Sequence, residues 1–234
     1  MPFFYAMNPM YWLFMIPGLL FSLWAQWKVQ SAYGKYKQIA NSRNITGAQA
    51  ARYLLDSSGL SNVKIEESQG MLSDHYDPTS QTLRLSPENY RVPSIAAVGI
   101  AAHEMGHALQ HAENYGPLKL RSAIVPVANL GASFGPLIIL GGLFLRMESV
   151  AIIGLAVFAA AFLFTLVTLP VEFDASSRAL RLMERNSLLT TTEMQGARSV
   201  LSAAAWTYVA AAVAALLQVL YYALIIFGGN RRRS

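Results

Sequence analysis

The sequence predicts an α+β membrane protein that is mainly helical, with about four transmembrane helices and one small domain built around a short β-sheet. Of its 234 residues, 54% are hydrophobic and only 13% are charged, a composition too apolar for an ordinary soluble domain. The apolar residues are concentrated in four segments long enough to cross a bilayer, which takes about 20 residues each. The largest polar region lies between the first and second segments, where we expect the folded domain.

The first apolar segment runs from about Phe3 to Trp27. Its tryptophan and tyrosine residues are typical of side chains that anchor a span at the membrane interface. A cleaved signal peptide is the alternative, but no basic residue precedes the apolar stretch and no small-residue cleavage site precedes Lys28. We therefore expect residues 1–27 to be an uncleaved N-terminal transmembrane anchor.

Residues 28–121 form the predicted domain. Thr46–Gln49 is typical of a capping box at the start of a helix, and Gly59 is typical of the end of that helix. The alternation in Val63–Ile65 predicts a strand. A hairpin is predicted next, with its turn at Asp77–Ser80. The two strands of this hairpin are expected at Met71–Tyr76 and Thr82–Leu85.

The segment His103–His107, with the HExxH sequence HEMGH, carries the chemistry of this domain. Ser94 is a candidate N-cap and no proline follows before Pro117, so a helix is expected here. Histidines four residues apart on a helix differ by about 40° in direction and roughly 6 Å in height, so both can bind one metal ion. Glu104 points roughly 100° away from His103, where a carboxylate can act as general base on a metal-bound water. The pattern predicts zinc-dependent hydrolysis.

The same residues also have a structural interpretation. The run from Ile95 to Ala102 is apolar on almost every side, which predicts a buried helix. The histidines are then core residues that form hydrogen bonds, and Glu104 lies on a solvated face. Burying two histidines and a glutamate without partners costs free energy, which favours the metal site.

A catalytic zinc ion usually takes three protein ligands and a water molecule, so one ligand lies outside this motif. His111 is one candidate, but on a straight helix it lies about 12 Å from His103 along the axis. That distance is too long for both to bind one tetrahedral ion together with His107. We therefore expect His111 to form a hydrogen bond that supports a ligand or to lie at the surface. The second candidate for the third ligand is Glu172.

The second and third apolar segments predict a transmembrane hairpin over residues 122–169. The short polar link Arg146–Ser149 joins them. Two crossings return the chain to the side of the membrane from which it started. Glu172 therefore emerges on the same side as the two histidines. The segments extend from about Ala123 to Leu145 and from about Val150 to Leu169.

Residues 170–202 are expected to form a helical region that carries Glu172 as the third zinc ligand. Pro170 begins or kinks a helix there, which points Glu172 inward. Asp174 lies four residues before Arg178, so these two side chains are expected to form an ion pair on one helix face. The alternative for Glu172 is an ordinary carboxylate at the membrane interface.

The fourth segment runs from about Ala203 to Phe227, within a predicted C-terminal span and basic tail at residues 203–234. The net charge is +5, but the basic residues flank apolar segments, which indicates orientation in a membrane and no nucleic-acid partner. Residues 28–121 and 170–202 hold 14 of the 18 Lys and Arg residues, which predicts a cytoplasmic catalytic face. The basic tail Arg231–Arg233 does not fit this orientation, because four crossings place it outside the cytoplasm. Cysteine is absent, so thiolate metal sites are excluded.

Four motifs follow one another along the chain: Asp74–Pro78, Leu83–Ser86, Ala101–Gln110 and Leu169–Ser176. In register, they resemble the YugP-type neutral zinc metallopeptidases of bacteria, and the resemblance extends over nearly the whole chain. More distantly, the chain is similar to HtpX-like and CaaX-processing membrane proteases, whose third zinc ligand is the glutamate of a Glu-x-x-Ala-Asp pattern. Glu172 and Ala175 fit this pattern, but Ser176 stands where those enzymes carry aspartate.

This resemblance implies a zincin-like domain and a bacterial membrane metalloendopeptidase with Zn²⁺ bound by His103, His107 and Glu172. It also implies that substrate lies along an edge strand, for which Met71–Tyr76 is the candidate. His75 in that strand is then expected to donate a hydrogen bond to the tetrahedral oxyanion, with a role in stabilising the turn as its alternative. The expected partners are a peptide or membrane-protein substrate and the lipid bilayer.

Two other kinds of function compete with hydrolysis. A non-catalytic metal-binding scaffold needs the histidine pair but not Glu104, so Glu104 favours an enzyme. A transporter or channel needs ionisable groups within several spans, and the predicted spans are almost free of charge.

Overall fold

The computed structural model describes residues 9–70 and 72–228. This part of the chain is mainly helical and contains one small three-stranded sheet, as predicted. Its helices are α1 (Pro9–Tyr36), α2 (Gly47–Ser57), α3 (Pro87–Arg91), α4 (Ile95–Ala112), α5 (Gly116–Phe144), α6 (Glu148–Arg185) and α7 (Thr191–Gly228). Its strands are β1 (Lys64–Glu67), β2 (His75–Asp77) and β3 (Thr82–Leu85).

Within the described residues, three helices are long and apolar enough to cross a membrane, namely α5, α6 and α7. The prediction of four spans is therefore wrong by one. The first predicted segment is helical from Pro9 onward as part of α1, and its residues 3–8 lie outside the described chain. The described part of α1 is not among the helices that meet this criterion, and its apolar stretch contains polar-tipped aromatic residues such as Tyr11 and Trp12, which lower its mean hydropathy.

The described chain divides into two compact units. The first comprises residues 9–25, 119–170 and 207–228. The second comprises residues 26–118 and 171–206.

The first unit contains the predicted hairpin, in which α5 and α6 are joined by a short turn at residues 145–147. A Cβ atom built on Gly135 of α5 would lie 2.6 Å from the Cβ atom of Phe158 on α6. Only a residue without a side chain permits this approach of the two helices. Phe158 belongs to the buried core of this unit together with Ile139 and Tyr221.

The second unit begins with a helix and a sheet that follow the local sequence signals. Thr46 and Gln49 form the predicted capping box at the start of α2. The strand order is β1-β3-β2, with β1 parallel and β2 antiparallel to β3. Asp77 holds the predicted hairpin turn, because its carboxylate accepts hydrogen bonds from the Thr79 N–H and the Ser80 hydroxyl. β2 begins at His75, so it is shorter than predicted, and it lies at one edge of the sheet.

Helix α4 carries the HEMGH sequence through the core of the second unit. It begins at the predicted N-cap, where the Ser94 hydroxyl accepts a hydrogen bond from the Ala97 N–H at 3.1 Å. Met105 is fully buried among side chains from α2, β3 and α6. Since Met105 points into this core, His103 and His107 leave α4 on a different side. The other large side chains of this core are Leu54, Leu55, Leu83, Leu85 and Met183.

Candidate metal centre

Three side chains of the second unit meet at one point. His103 and His107 lie on α4, and Glu172 lies on α6. The Nε2 atoms of His103 and His107 lie 3.3 Å and 3.6 Å, respectively, from Oε2 of Glu172. One ligand atom from each residue lies within 4.8 Å of the other two. The structure thus brings together the three residues that the sequence predicts as metal ligands.

The two distances from the histidines to Glu172 fit a tetrahedral zinc ion. Zinc binds imidazole nitrogen and carboxylate oxygen at about 2.0–2.2 Å, and two corners of a tetrahedron are about 1.63 times that length apart, or roughly 3.3–3.6 Å. Both distances from a histidine to Glu172 agree with this value. Two imidazoles and one carboxylate also form a donor set that is common in catalytic zinc sites. The residues present therefore fit zinc.

Helix α6 delivers Glu172 to the two histidines without a break. The helix runs continuously from Glu148 to Arg185, and Pro170 lies in its interior. Of the two roles expected for Pro170, the start of a new helix is therefore wrong, and a kink within a continuous helix stays a prediction. The predicted span and the helical region that carries the carboxylate are parts of one element. Glu172 is buried, with 2% of its surface exposed.

Each histidine ring is also held through its other nitrogen. Nδ1 of His107 lies 3.0 Å from Oε1 of Gln110, and Nδ1 of His103 lies 3.1 Å from the hydroxyl oxygen of Ser176. Hydrogen bonds of this kind fix the ring and direct Nε2 towards a metal. Ser176 therefore supplies a hydrogen-bonding side chain at the position where the distantly similar proteases carry aspartate.

Sequence reasoning missed the role of Gln110. A signal was present, because Gln110 lies three residues after His107 and so on a neighbouring part of the same helix face. Its side chain is fully buried, which is unusual for glutamine and indicates that its polar atoms have partners.

The electrostatic environment of the site is negative. Glu104 is buried, with 8% of its surface exposed, and lies in the same helix as the two histidines. Burial lowers the pKa of His107, but the hydrogen bonds to Glu172 and Gln110 and the charges of Glu104 and Glu172 together outweigh it, so the pKa is raised overall. The negative potential that stabilises a charged imidazole also favours a bound cation.

His111, the alternative third ligand, and Asp174, which lies two residues after Glu172, form hydrogen bonds with other residues. Nδ1 of His111 lies 3.0 Å from the hydroxyl oxygen of Tyr76 on β2. Asp174 forms the expected ion pair, because its Oδ2 atom accepts a hydrogen bond from Nε of Arg178 at 2.5 Å. Within the described residues, the group of converging ligand atoms contains neither of them.

His75 lies on the edge strand β2 with its side chain exposed. Its Nδ1 atom lies 2.9 Å from the carbonyl oxygen of Ser73. A carbonyl oxygen only accepts, so Nδ1 carries the hydrogen and Nε2 donates only when the ring is charged. Its contact to the oxyanion stays a prediction. Met71, the first residue of the candidate substrate strand, lies outside the described part of the chain.

The similarity to known proteins covers both helices that carry the candidate metal ligands. Residues 11–227 match the family described as "Putative neutral zinc metallopeptidase". The chain is 47% identical over 196 residues to the "Putative membrane protease YugP" of Bacillus subtilis (strain 168), and this alignment covers 84% of the chain and 87% of that protein. No solved structure matches the chain. The family match includes the histidine pair on α4 and Glu172 on α6.

Proposed function

The chain belongs to the neutral zinc metallopeptidase family, and from this premise we propose that it is an integral membrane metalloendopeptidase that hydrolyses peptide bonds. One observation carries the proposal. Nε2 of His103 and Nε2 of His107 each lie at a distance from Oε2 of Glu172 that suits a shared zinc ion, and the three ligand atoms lie within 4.8 Å of one another. The buried carboxylate of Glu104 lies beside them and influences the charge of His107.

Zn²⁺ is the cofactor that we propose for this site. His103, His107 and Glu172 hold it, and Ser176 and Gln110 orient the two imidazole rings. When bound, zinc supplies a Lewis acid that polarises the substrate carbonyl and makes water more acidic. The proton transfers and the placement of substrate depend on side chains of the protein.

Glu104 is the proposed general base. Its side chain leaves α4 roughly 100° away from His103, so it lies beside the ligand set and not within it. Its carboxylate accepts a proton from the attacking water and then delivers that proton to the nitrogen of the leaving amine. A metal-binding scaffold needs no carboxylate at this position, so Glu104 favours hydrolysis over a purely structural metal site.

The edge strand β2 is the proposed binding place for the peptide substrate. An edge strand offers unpaired backbone groups to which an extended peptide adds as a further strand. We propose that His75, which is exposed on this strand, donates a hydrogen bond to the oxyanion. Because Nδ1 is bound to Ser73, this donation uses Nε2 of a charged ring.

The proposed location is the bacterial cell membrane, with several spans and the catalytic site on the cytoplasmic face. Helices α5, α6 and α7 supply candidate spans. Residues 28–121 and 170–202, which contain all proposed site residues, hold 14 of the 18 basic residues. Such an excess of Lys and Arg is typical of the cytoplasmic side.

Metal analysis of the purified full chain, combined with cleavage of an unfolded protein substrate, tests this function. We expect about one zinc ion per chain, and loss of cleavage on chelation, as the chemistry of a single catalytic zinc requires. The variant Glu104→Gln is expected to keep zinc and lose hydrolysis, because the amide cannot accept the proton. The same change at the exposed Glu184 is the matched control and should keep both. Full proteolysis by Glu104→Gln would remove the proposed mechanism.

A further inference from the structure

We infer that Gln110 selects the tautomer of His107 and is thereby a positioning residue of the metal centre, an inference that rests on the proposed zinc-binding function. Gln110 lies on α4, three residues after His107, and is fully buried. Its Oε1 atom lies 3.0 Å from Nδ1 of His107. Two other contacts of the Gln110 amide fix which of its atoms faces the ring.

The amide nitrogen of Gln110 faces two acceptors. Nε2 lies 2.8 Å from the carbonyl oxygen of Val171 and 2.9 Å from Oδ2 of Asp174. A backbone carbonyl oxygen only accepts hydrogen bonds, and so does an ionised carboxylate. The group that faces them must therefore be the NH₂ group. It follows that the carbonyl oxygen of Gln110 faces His107.

A second pair of contacts keeps Asp174 as an acceptor. Arg178 donates from Nε to Oδ2 of Asp174 at 2.5 Å and from Nη1 to Glu113 at 2.5 Å. A guanidinium group only donates, so Oδ2 of Asp174 accepts in this contact. If the Gln110 amide turned over, its oxygen would face two oxygen acceptors and lose both hydrogen bonds. The orientation of the amide is therefore fixed.

The fixed amide determines the state of the His107 ring. Because the oxygen of Gln110 accepts, Nδ1 of His107 must carry a hydrogen, which in the neutral, metal-binding ring leaves the lone pair on Nε2. Nε2 is the atom that lies 3.6 Å from Glu172. His103 is not constrained in this way, since the Ser176 hydroxyl at its Nδ1 both donates and accepts. Gln110 thus selects the ligating nitrogen of one histidine only.

Two measurements on Gln110→Met test this positioning role. Methionine has nearly the same length as glutamine but offers no strong acceptor. We expect the zinc dissociation constant, measured by competition with a chelator, to rise by about 10- to 100-fold. In zinc-loaded protein labelled with ¹⁵N-histidine, we expect the Nδ1–H signal of His107 to resist exchange in the wild type and to broaden or disappear in the variant. The chain has only four histidines, so the signals that disappear in His75→Gln and His111→Gln belong to those residues, and the signals that persist in both variants belong to His103 and His107.

The controls separate positioning from folding and from zinc binding itself. Ser176→Ala removes the corresponding partner of His103 and should leave the His107 signal unchanged. The inference would be overturned if the wild type binds zinc and Gln110→Met shows the same zinc affinity and the same His107 signal. That result would leave the proposed function intact. A wild-type protein that binds no zinc would overturn the proposed function and this inference with it. If Gln110→Met fails to fold, the wild-type spectrum alone decides, because His107 with hydrogen on Nε2 in the zinc-loaded protein contradicts the assigned tautomer.

Discussion

Gly106 on α4 lies directly against the backbone of Ala175 on α6. A Cβ atom built on Gly106 would lie 2.6 Å from the carbonyl oxygen of Ala175 and 3.1 Å from its Cα atom. A backbone cannot move aside as the end of a flexible side chain can, so only glycine fits at this position. Gly106 precedes His107, and Ala175 follows Glu172 by three residues. The close approach therefore sets the separation between the helix that carries the histidines and the helix that carries the carboxylate.

Gly106→Ala is expected to destabilise the protein by about 1–3 kcal/mol through overpacking and to weaken zinc binding, because α4 and α6 must move apart. Thermal unfolding in detergent and a zinc titration measure the two effects. Gly99→Ala on the same helix is the matched control. A Cβ atom there would lie 3.4 Å from the Cβ atom of Ala197, an ordinary contact. Because alanine favours helix by up to about 1 kcal/mol, this variant should be at least as stable as the wild type. Equal behaviour of the two variants would contradict the role of Gly106.

Removal of the third ligand is expected to have a larger effect than removal of its neighbours. Glu172→Ala should lower zinc affinity by more than about 100-fold, beyond the effect typical of residues that only orient a ligand. Asp174→Ala should keep most of the metal, because the carbonyl oxygen of Val171 still orients the Gln110 amide. His111→Ala should also keep it, since that ring contacts Tyr76. Equilibrium dialysis with zinc checks all three variants, and full zinc binding by Glu172→Ala would assign the third ligand elsewhere.

The membrane orientation predicts different labelling of two introduced cysteines. Ser149 lies at the start of α6, beside the turn from α5, and Ser61 follows α2 in the polar region; both side chains are exposed. In intact cells, a membrane-impermeant thiol reagent should label Ser149→Cys and spare Ser61→Cys, because a single span separates these positions. The natural chain has no cysteine, so the background is clean. Permeabilised cells should label both variants, and the opposite pattern in intact cells would place the proposed catalytic site outside the cytoplasm.

The role of His75 has a test that does not involve the metal. His75→Ala should keep zinc and lower kcat by about 10²- to 10³-fold, as loss of one oxyanion donor typically does. KM should change little, because the hydrogen bond forms in the transition state. His75→Gln, whose amide donates without a charge, should restore part of the rate. An unchanged kcat in His75→Ala would assign this histidine to the strand and turn, where its Nδ1 already binds the Ser73 carbonyl.

Local signals in the sequence predicted the elements that build the site. The capping box at Thr46, the N-cap at Ser94 and the turn at Asp77 each depend on contacts within a few residues, so short patterns suffice to identify them. The spacing of His103, Glu104 and His107 likewise follows from helix geometry alone. The sequence also selected Glu172 over His111, by counting the two crossings between the histidines and the carboxylate and by the resemblance to related proteases.

Tertiary structure decided the contacts between residues that are distant in the chain. The hydrogen bond between His103 and Ser176 joins positions 73 residues apart, and that between Gln110 and Val171 joins positions 61 apart. No local pattern encodes these pairs, because they exist only when Gly106 lets α4 pack against α6. Pro170 within a continuous α6 is a similar case, since a proline signal alone does not distinguish a helix start from a helix interior. The sequence thus determined which side chains could bind zinc, and the packing of two helices determined which of them meet and which nitrogen of His107 faces the site.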